Sequence, residues 1–368
     1  MHILLLPGAL KGTLSAVQAG QILTRCLSPR FAVRMFPIAD GGDGFIDTFY
    51  ALDPHAQLIK TRAKNAFLKT RATSFLLLSD GKTAVVETAR ICGLGRAKKE
   101  ELDPLNASSY GVGQVLCEAV RRGAKKIYVG LGGVACSDGG AGLAVACGAQ
   151  ILDESGQQIP LGAQALLNAT HLDLSALQKQ FKGVQIIGVA DVKNPLLGAR
   201  GSARVFGPQK GATPAQVQLL EKCMRRWARV LKTTTGRDVA HLQSAGAAGA
   251  IAAGLVGCLN AKLLLGADFL MQKAALEKQF TWADLVITSE GKLDAQTFYG
   301  KAPLAVLKLA RHYKKPVLFI CGSADWKALQ KQKLPHVCVA ELLDFAPSVK
   351  LAQKNAGRYL ARVCKTIS

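Results

Sequence analysis

KIYVGLGGVACSDGGAG, residues 126–142, changes character twice within one short stretch. Lys126 to Leu131 is an apolar run of strand length. Glycines at 130, 132 and 133 then open a loop, and Ser137-Asp138-Gly139-Gly140 leads into a helix-length segment. Strand, glycine-rich loop and helix in that order is the repeating unit of an α/β protein with parallel strands. The free N–H groups of such a loop and of the following helix N-terminus favour a phosphate or carboxylate. Close backbone packing is the plainer use of the same glycines. Glycines 132, 133, 139 and 140 with Ser137 and Asp138 in a single loop favour a site.

The same alternation recurs on either side. Ile3 to Leu6 reads as a first strand, Thr13 to Leu27 as a helix, and Val33 to Ile38 as a second strand. ADGGDG (residues 39–44) follows at once, then a helix through Phe45 to Leu52. The next segment differs, because Leu58 to Thr61, Thr70 to Leu78 and Thr83 to Glu87 are short β-rich runs. Ser79-Asp80-Gly81-Lys82 is a turn signal between the last two, so antiparallel hairpins of a second lobe are expected. Helix returns at Gly113 to Arg122, and further strands are expected at Ile186 to Val189, Leu285 to Thr288, Val317 to Ile320 and His336 to Val339. The expected fold is α/β with two interleaved lobes between which the chain passes more than once.

Composition agrees with that class. The 368 residues exceed a usual single core, and 49% hydrophobic with only 6% aromatic residues and 37 Gly suits an Ala/Val/Leu/Gly-rich α/β protein. A net charge of +22 would draw phosphates, anionic substrates or nucleic acid. The basic residues are dispersed in pairs such as Arg121-Arg122 and Lys314-Lys315, with no basic tail or nucleic-acid motif, so a generally basic surface and no nucleic-acid partner are expected. Ten Cys without a CxxC pair or zinc spacing point to free cytosolic thiols. The opening MHILLLPGALKG lacks a basic n-region and a cleavage site, so no export signal is expected and the location is expected to be cytoplasmic. Val239 to Ala261 carries no Asp, Glu, Lys or Arg, yet a membrane span needs ~20 strongly apolar residues. Its Gly and Ala content fits a turn feeding a tightly buried helix, with no membrane partner.

Standard phosphate loops are missing. Gly81-Lys82-Thr83 has Leu76 where a P-loop needs its first glycine, and Gly111-Val112-Gly113 continues to Leu116, which breaks a dinucleotide fingerprint. What remains are acidic and glycine-rich loops at strand ends, where open α/β sheets place their ligands. Asp40-Gly41-Gly42-Asp43-Gly44 can form an anion nest, or merely a capped strand-to-helix turn. Asp191-Val192-Lys193-Asn194-Pro195 and Ser289-Glu290-Gly291-Lys292-Leu293-Asp294 are strand-end carboxylate loops suited to metal binding or hydroxyl activation, with helix capping as the commoner role for any single Asp. Phe206-Gly207-Pro208-Gln209-Lys210-Gly211 is a turn with one lysine, and such surface turns are common. No His falls in a metal-type cluster.

Taken in order, PGALKG, ADGGDG, SYGVG, GLGGVACSDGGAG, ADVKNPL, VFGPQKGAT, SAGAAGA, SEGKLDAQT and GKAP resemble the glycerate kinase family of bacterial glyoxylate and glucarate catabolism, from the first strand to about Cys321. The resemblance implies a flavodoxin-like lobe with a parallel sheet, placed at about 1–57 and 281–368, and a mixed α/β lobe at about 58–280, with the site between them. It implies Mg-ATP as donor and glycerate as acceptor, with 2-phosphoglycerate the favoured product. By the same resemblance Asp191, Asp294 and Lys11 stand at catalytic positions, and Asp191, Glu290 and Asp294 at metal positions. Asp40, Gly41, Gly42, Ser137, Asp138, Gly139, Gly140, Asn194, Lys210 and Lys301 stand at substrate or phosphate positions. Asp191 and Asp294 are expected close enough to share a Mg-phosphate or a hydroxyl, and the N–H groups at Asp138 to Gly140 are expected to bind an anion.

This chain departs from the family pattern at several points. Gly8-Ala9-Leu10 replaces Asp-Ser-Phe, Lys193 replaces an acidic residue, Ser244 and Ala250 replace glycines, and Val134 and Cys136 replace polar residues. Loss of two carboxylates leaves open a paralogue that binds nucleotide or a small hydroxy acid without turnover, or with a shifted substrate. An inward Lys193 would pair with Asp191 or a phosphate, whereas an outward one would be merely solvated. Nothing in the sequence speaks to oligomeric state.

Overall fold

The computed structural model describes residues 1–367 apart from 11, 39–40, 267–268, 270–275, 295–296, 298–301 and 331–335. The chain divides into two compact units, one formed by residues 1–40, 47–54 and 266–368 and the other by 41–46 and 55–265.

The first unit is built on a parallel sheet in the order β13-β12-β11-β1-β2. Its strands are β1 (His2–Pro7), β2 (Ala32–Met35), β11 (Leu285–Leu293), β12 (Val317–Ala324) and β13 (Val337–Glu341). Ile3 to Leu6 are fully buried, which explains the unbroken apolar run: a central parallel strand is covered on both faces. The first helix is Ala16–Leu27, shorter at its start than the sequence pattern suggested. Ser15 sets that start by a capping box, accepting the Gln18 N–H at 3.1 Å and donating its own N–H to Gln18 Oε1 at 2.9 Å. Strand β11 runs five residues past Thr288, because pairing to β12 continues through Glu290↔Cys321 to Leu293↔Ala324.

The second unit holds a six-stranded sheet in the order β10-β9-β6-β5-β4-β3. Its strands are β3 (Gln57–Lys64), β4 (Thr70–Leu77), β5 (Thr83–Glu87), β6 (Lys126–Leu131), β9 (Gln185–Ala190) and β10 (Lys262–Leu265). A separate antiparallel pair is formed by β7 (Gln150–Leu152) and β8 (His171–Asp173). From β5 to β10 the neighbours are parallel, while β3, β4 and β5 form the expected antiparallel meander. The β4–β5 turn is closed by Asp80, whose carboxylate accepts the N–H groups of Lys82 and Thr83, each at 2.8 Å, with Gly81 at a φ of 65°. Lys60, Arg62 and Lys64 on β3 put charge on the sheet edge, which discourages pairing with another chain.

The helix expected from Gly113 begins earlier and spans Tyr110–Arg121. Two glycines in its first turn hid it. Both are needed for space, since a Cβ on Gly111 would strike the Lys64 carbonyl and one on Gly113 the Leu143 carbonyl. The charge-free stretch forms a turn and then the helix Ile251–Leu259, buried along most of its length. No helix among the described residues is long and apolar enough to cross a membrane.

Candidate functional site

Strands β6 and β9 are parallel neighbours in register, Gly130 opposite Val189 and Leu131 opposite Ala190. The loops that follow them, starting at Gly132 and Asp191, therefore leave the sheet on the same edge. Gly41 and Gly42 pack beneath this edge. A Cβ on Gly41 would strike the Val189 carbonyl, and one on Gly132 would lie 2.7 Å from the Gly42 Cα. These glycines are thus required for backbone contact. Thr88 joins the loop, its hydroxyl donating to the Gly130 carbonyl at 2.8 Å, and buried Glu87 accepts the Ile46 N–H at 3.0 Å.

Asp138 is fully buried, and its carboxylate accepts five hydrogen bonds. They come from the N–H and hydroxyl of Ser109 (2.7 and 2.9 Å), the Ser108 hydroxyl (3.2 Å), and the N–H groups of Gly142 (3.1 Å) and Gly140 (3.3 Å). Burial pushes its carboxyl above the usual range, against the pull of these donors. The helix Ala141–Ala146 that it precedes has its N-terminal N–H groups at Gly140 and Gly142 turned onto the protein's own carboxylate. Gly139 and Gly140 pack under Trp227 and the Ile251–Leu259 helix, and the Trp227 indole donates to the Gly139 carbonyl at 2.9 Å. Asp138, Gly139 and Gly140 are accordingly interior, and the anion seat expected there is filled by Asp138 itself.

Lys210 presents the opposite case. It is 2% exposed, and its ammonium donates to the Cys136 carbonyl and to the Ser137 hydroxyl at 3.3 Å. Both acceptors are neutral; the Asp138 carboxylate acts on it only from longer range, and among the described residues no carboxylate lies within ion-pair distance. Burial lowers its pKa below the ordinary lysine range. Lys210 lines a pocket of about 110 Å³ with Gly132, Gly133, Asp191, Phe206 and Gly249. A Cβ on Gly249 would come within 2.8 Å of the Lys210 Nζ, so that glycine keeps the ammonium's surroundings open.

Asp191 stands directly after β9 at the pocket edge, partly buried. Asn194 is turned to its own loop, donating from Nδ2 to the Arg200 carbonyl at 2.8 Å. Lys193 is exposed, which matches the solvated alternative. In the first unit, Glu290 lies in β11 and is largely buried, with its Oε2 accepting the Thr297 hydroxyl at 2.8 Å. Asp294, just past the strand, pairs with Lys292 at 3.7 Å. The same unit has a pocket of about 160 Å³ near the carboxyl ends of β11 and β12, lined by Leu10, Thr13, Gly291, Gly322, Ser323 and Leu342. Lys11, Asp40 and Lys301 lie outside the described residues. Asp191 thus belongs to one unit, and Glu290 and Asp294 to the other.

Residue-by-residue reading missed Ser108 and Ser109, Glu87 and Thr88, and Gly249. A serine pair ahead of a helix is a capping signal, and Glu87 ends an apolar strand as Asp191 does, so two of the three signals were present. Gly249 had none beyond its glycine-rich surroundings.

The departures at the glycine positions have a visible cost. Ser244 and Ala250 both adopt left-handed backbone, with φ of 67° and 65°, where a side chain is strained. At position 8 the opposite holds: a Cβ would strike the Ser289 carbonyl, and Gly8 is bound to Ser289 through its N–H (3.0 Å) and its carbonyl (2.8 Å).

Parallel sheets with loop-built pockets at their carboxyl edges define an α/β enzyme of the open-sheet class. A sequence model of the glycerate kinase family matches residues 3–368, and the chain belongs to that family of enzymes. It is 37% identical over 325 residues to a glycerate kinase of Halalkalibacterium halodurans, covering 87% of this chain and 85% of the relative. Identity to the glycerate 2-kinase of Escherichia coli is 36% over 326 residues, covering 88% and 85%. A crystal structure described as glycerate kinase 2 from Salmonella typhimurium LT2 superposes with a TM-score of 0.81 at 32% identity, covering 100% of this chain and 98% of that one.

Proposed function

We propose that this chain transfers the γ-phosphoryl group of ATP to a hydroxyl of glycerate, with the 2-hydroxyl favoured. The observation that carries the reading is Lys210: a buried ammonium hydrogen-bonded only to neutral acceptors, without an ion-pair partner and at the wall of a pocket, favours an anion there. A phosphate or carboxylate oxygen completes it. In this reading Asp191, at the edge of the same pocket, accepts the proton of the attacking hydroxyl. The 2-position is supported by the name of the Escherichia coli relative. The mostly apolar pocket of the first unit suits the base of a nucleotide. By family resemblance Lys11 is retained as a catalytic residue, and Asp40 and Lys301 as phosphate or substrate ligands.

Among the described residues no three metal-type side chains form a cluster. Magnesium usually arrives with phosphate oxygens and needs only one or two protein carboxylates. By family resemblance the candidates to supply them are Asp191, Glu290 and Asp294. When bound, the ion neutralises charge on the phosphoryl oxygens.

A coupled ADP-release assay over a panel of hydroxy acids, with the product identified by ³¹P NMR, tests the reading. Turnover of glycerate to 2-phosphoglycerate is expected. A 3-phosphoglycerate product would overturn the regiochemistry alone. Binding of ATP or glycerate without turnover would establish the non-catalytic paralogue, and turnover of a different acid the substrate-shifted one.

A further inference from the structure

All ten cysteines are free thiols, and most are buried. Cys117 is placed differently. It lies on the Tyr110–Arg121 helix, is partly exposed, and lines an open surface pocket with Thr61, Arg62 and Gln180. Beside it is Cys147, buried, immediately after the Ala141–Ala146 helix.

The backbone builds this contact. At Gly113, one turn before Cys117, the Leu143 carbonyl occupies the place of a Cβ, so the two helices meet backbone to backbone. One turn further along, Cys117 Sγ is 3.6 Å from the Ala146 carbonyl oxygen, and Cys147 Sγ is 3.7 Å from the Gly113 carbonyl oxygen. Each thiol thus reaches a backbone carbonyl of the other's helix region, which brings the two side chains to the same crossing. One sulfur faces the pocket and its neighbour lies inside. We propose that Cys117 and Cys147 form a peroxide-sensitive dithiol that closes reversibly to a disulfide, a modification site separate from phosphoryl transfer.

The proton distribution suits the roles. The neighbouring Cys147 thiol, with the Gln180 amide, outweighs burial and holds the Cys117 pKa below the usual thiol value. Cys147, beside Cys117 and buried, is pushed well above it. The thiolate is therefore favoured on the accessible sulfur, the arrangement of a redox-sensing cysteine beside a resolving one. The Cys117 thiolate attacks a peroxide oxygen: an S–O bond forms, the O–O bond breaks, and the departing hydroxide takes a proton to become water. The Cys147 sulfur then attacks the Cys117 sulfur, forming S–S and breaking S–O, and a second water leaves with the Cys147 proton. In sum, two thiols and one hydrogen peroxide give one disulfide and two waters. An external thiol reverses the step by exchange.

Exposure alone makes a different choice, because Cys338 is the more exposed thiol. The experiment treats the folded full-length chain with substoichiometric hydrogen peroxide, blocks remaining thiols by alkylation, and maps peptides without reduction. A linked Cys117–Cys147 peptide pair should appear before Cys338 is modified and vanish with dithiothreitol. In Cys147→Ala, dimedone should trap a sulfenic acid on Cys117 that the unaltered chain does not accumulate. The proposal is overturned if Cys338 is oxidised while Cys117 and Cys147 both stay alkylatable. It is equally overturned if dimedone labels Cys117 to the same extent with and without Cys147.

Discussion

Asp138 and Lys210 are both buried charges, and they are close in space: the atoms that hold Lys210 belong to Cys136 and Ser137, the two residues before Asp138. Asp138 has five donors from the protein, so its charge is spent on holding the turn and the start of two helices. Lys210 has two neutral acceptors and opens on a pocket. A buried charge that the protein satisfies is architecture, and one that it leaves short is where a ligand belongs. The contrast separates two residues that the motif order alone treats alike.

Removing Asp138 should show the largest effect, and on stability. Asp138→Ala strands the Ser108 and Ser109 hydroxyls and three N–H groups in the interior, which should cost about 3–5 kcal/mol. Thermal or urea denaturation measures it. A loss below about 1 kcal/mol would break the architectural half of the comparison.

Lys210→Met should do the reverse. Replacing a buried ammonium that has no ion-pair partner with an apolar side chain of similar length removes its desolvation cost and offsets the two lost hydrogen bonds, so the folded state should lose far less than in Asp138→Ala. Loss of the anion contact should lower kcat/KM roughly 100-fold or more. A variant that melts early and keeps its kinetics would exchange the two roles.

The pH dependence sharpens the same point. Because burial lowers the Lys210 pKa, the folded protein loses this charge sooner on alkalinisation than an exposed lysine would. Above the folded value the unfolded chain binds more protons than the folded one, so Lys210 makes stability rise with pH while anion binding falls. Sulfate has constant charge over this range. Its affinity, measured by calorimetry, should decline below the ordinary lysine range in the unaltered chain and be weak and flat in Lys210→Met.

Ser244→Gly should give the smallest change. Relief of the left-handed strain is worth ~1–2 kcal/mol, and the extra freedom of glycine in the unfolded chain returns ~0.5–1 of it. A net gain of up to about 1.5 kcal/mol is expected, visible as a higher Tm. A decrease would mean that the Ser244 side chain contributes contacts that outweigh its backbone strain.

Much of this was legible in the chain. Ile3–Leu6 and Lys126–Leu131 announce buried parallel strands by unbroken apolarity, and Asp80-Gly81 announces its turn by chemistry local to a few residues. The start of the Tyr110–Arg121 helix was not legible. The expected helix started only at Gly113, because glycine has low helix propensity, yet Gly111 and Gly113 are there because the Lys64 and Leu143 carbonyls leave no room for a Cβ. Read from its own residues Lys210 was one lysine in a common kind of turn, and only the family resemblance marked it as a substrate or phosphate position.

The sequence by itself determined the α/β alternation, the order of the glycine and carboxylate loops, and through them the family. Those are properties of neighbours along the chain. Only the tertiary structure decided that Asp138 is consumed and Lys210 is not, because the partners that settle each charge are remote: Ser109 lies 29 residues from Asp138, and Cys136 lies 74 from Lys210. Whether a charge is satisfied depends on which groups folding brings to it after water has gone, and spacing along the chain carries no record of that.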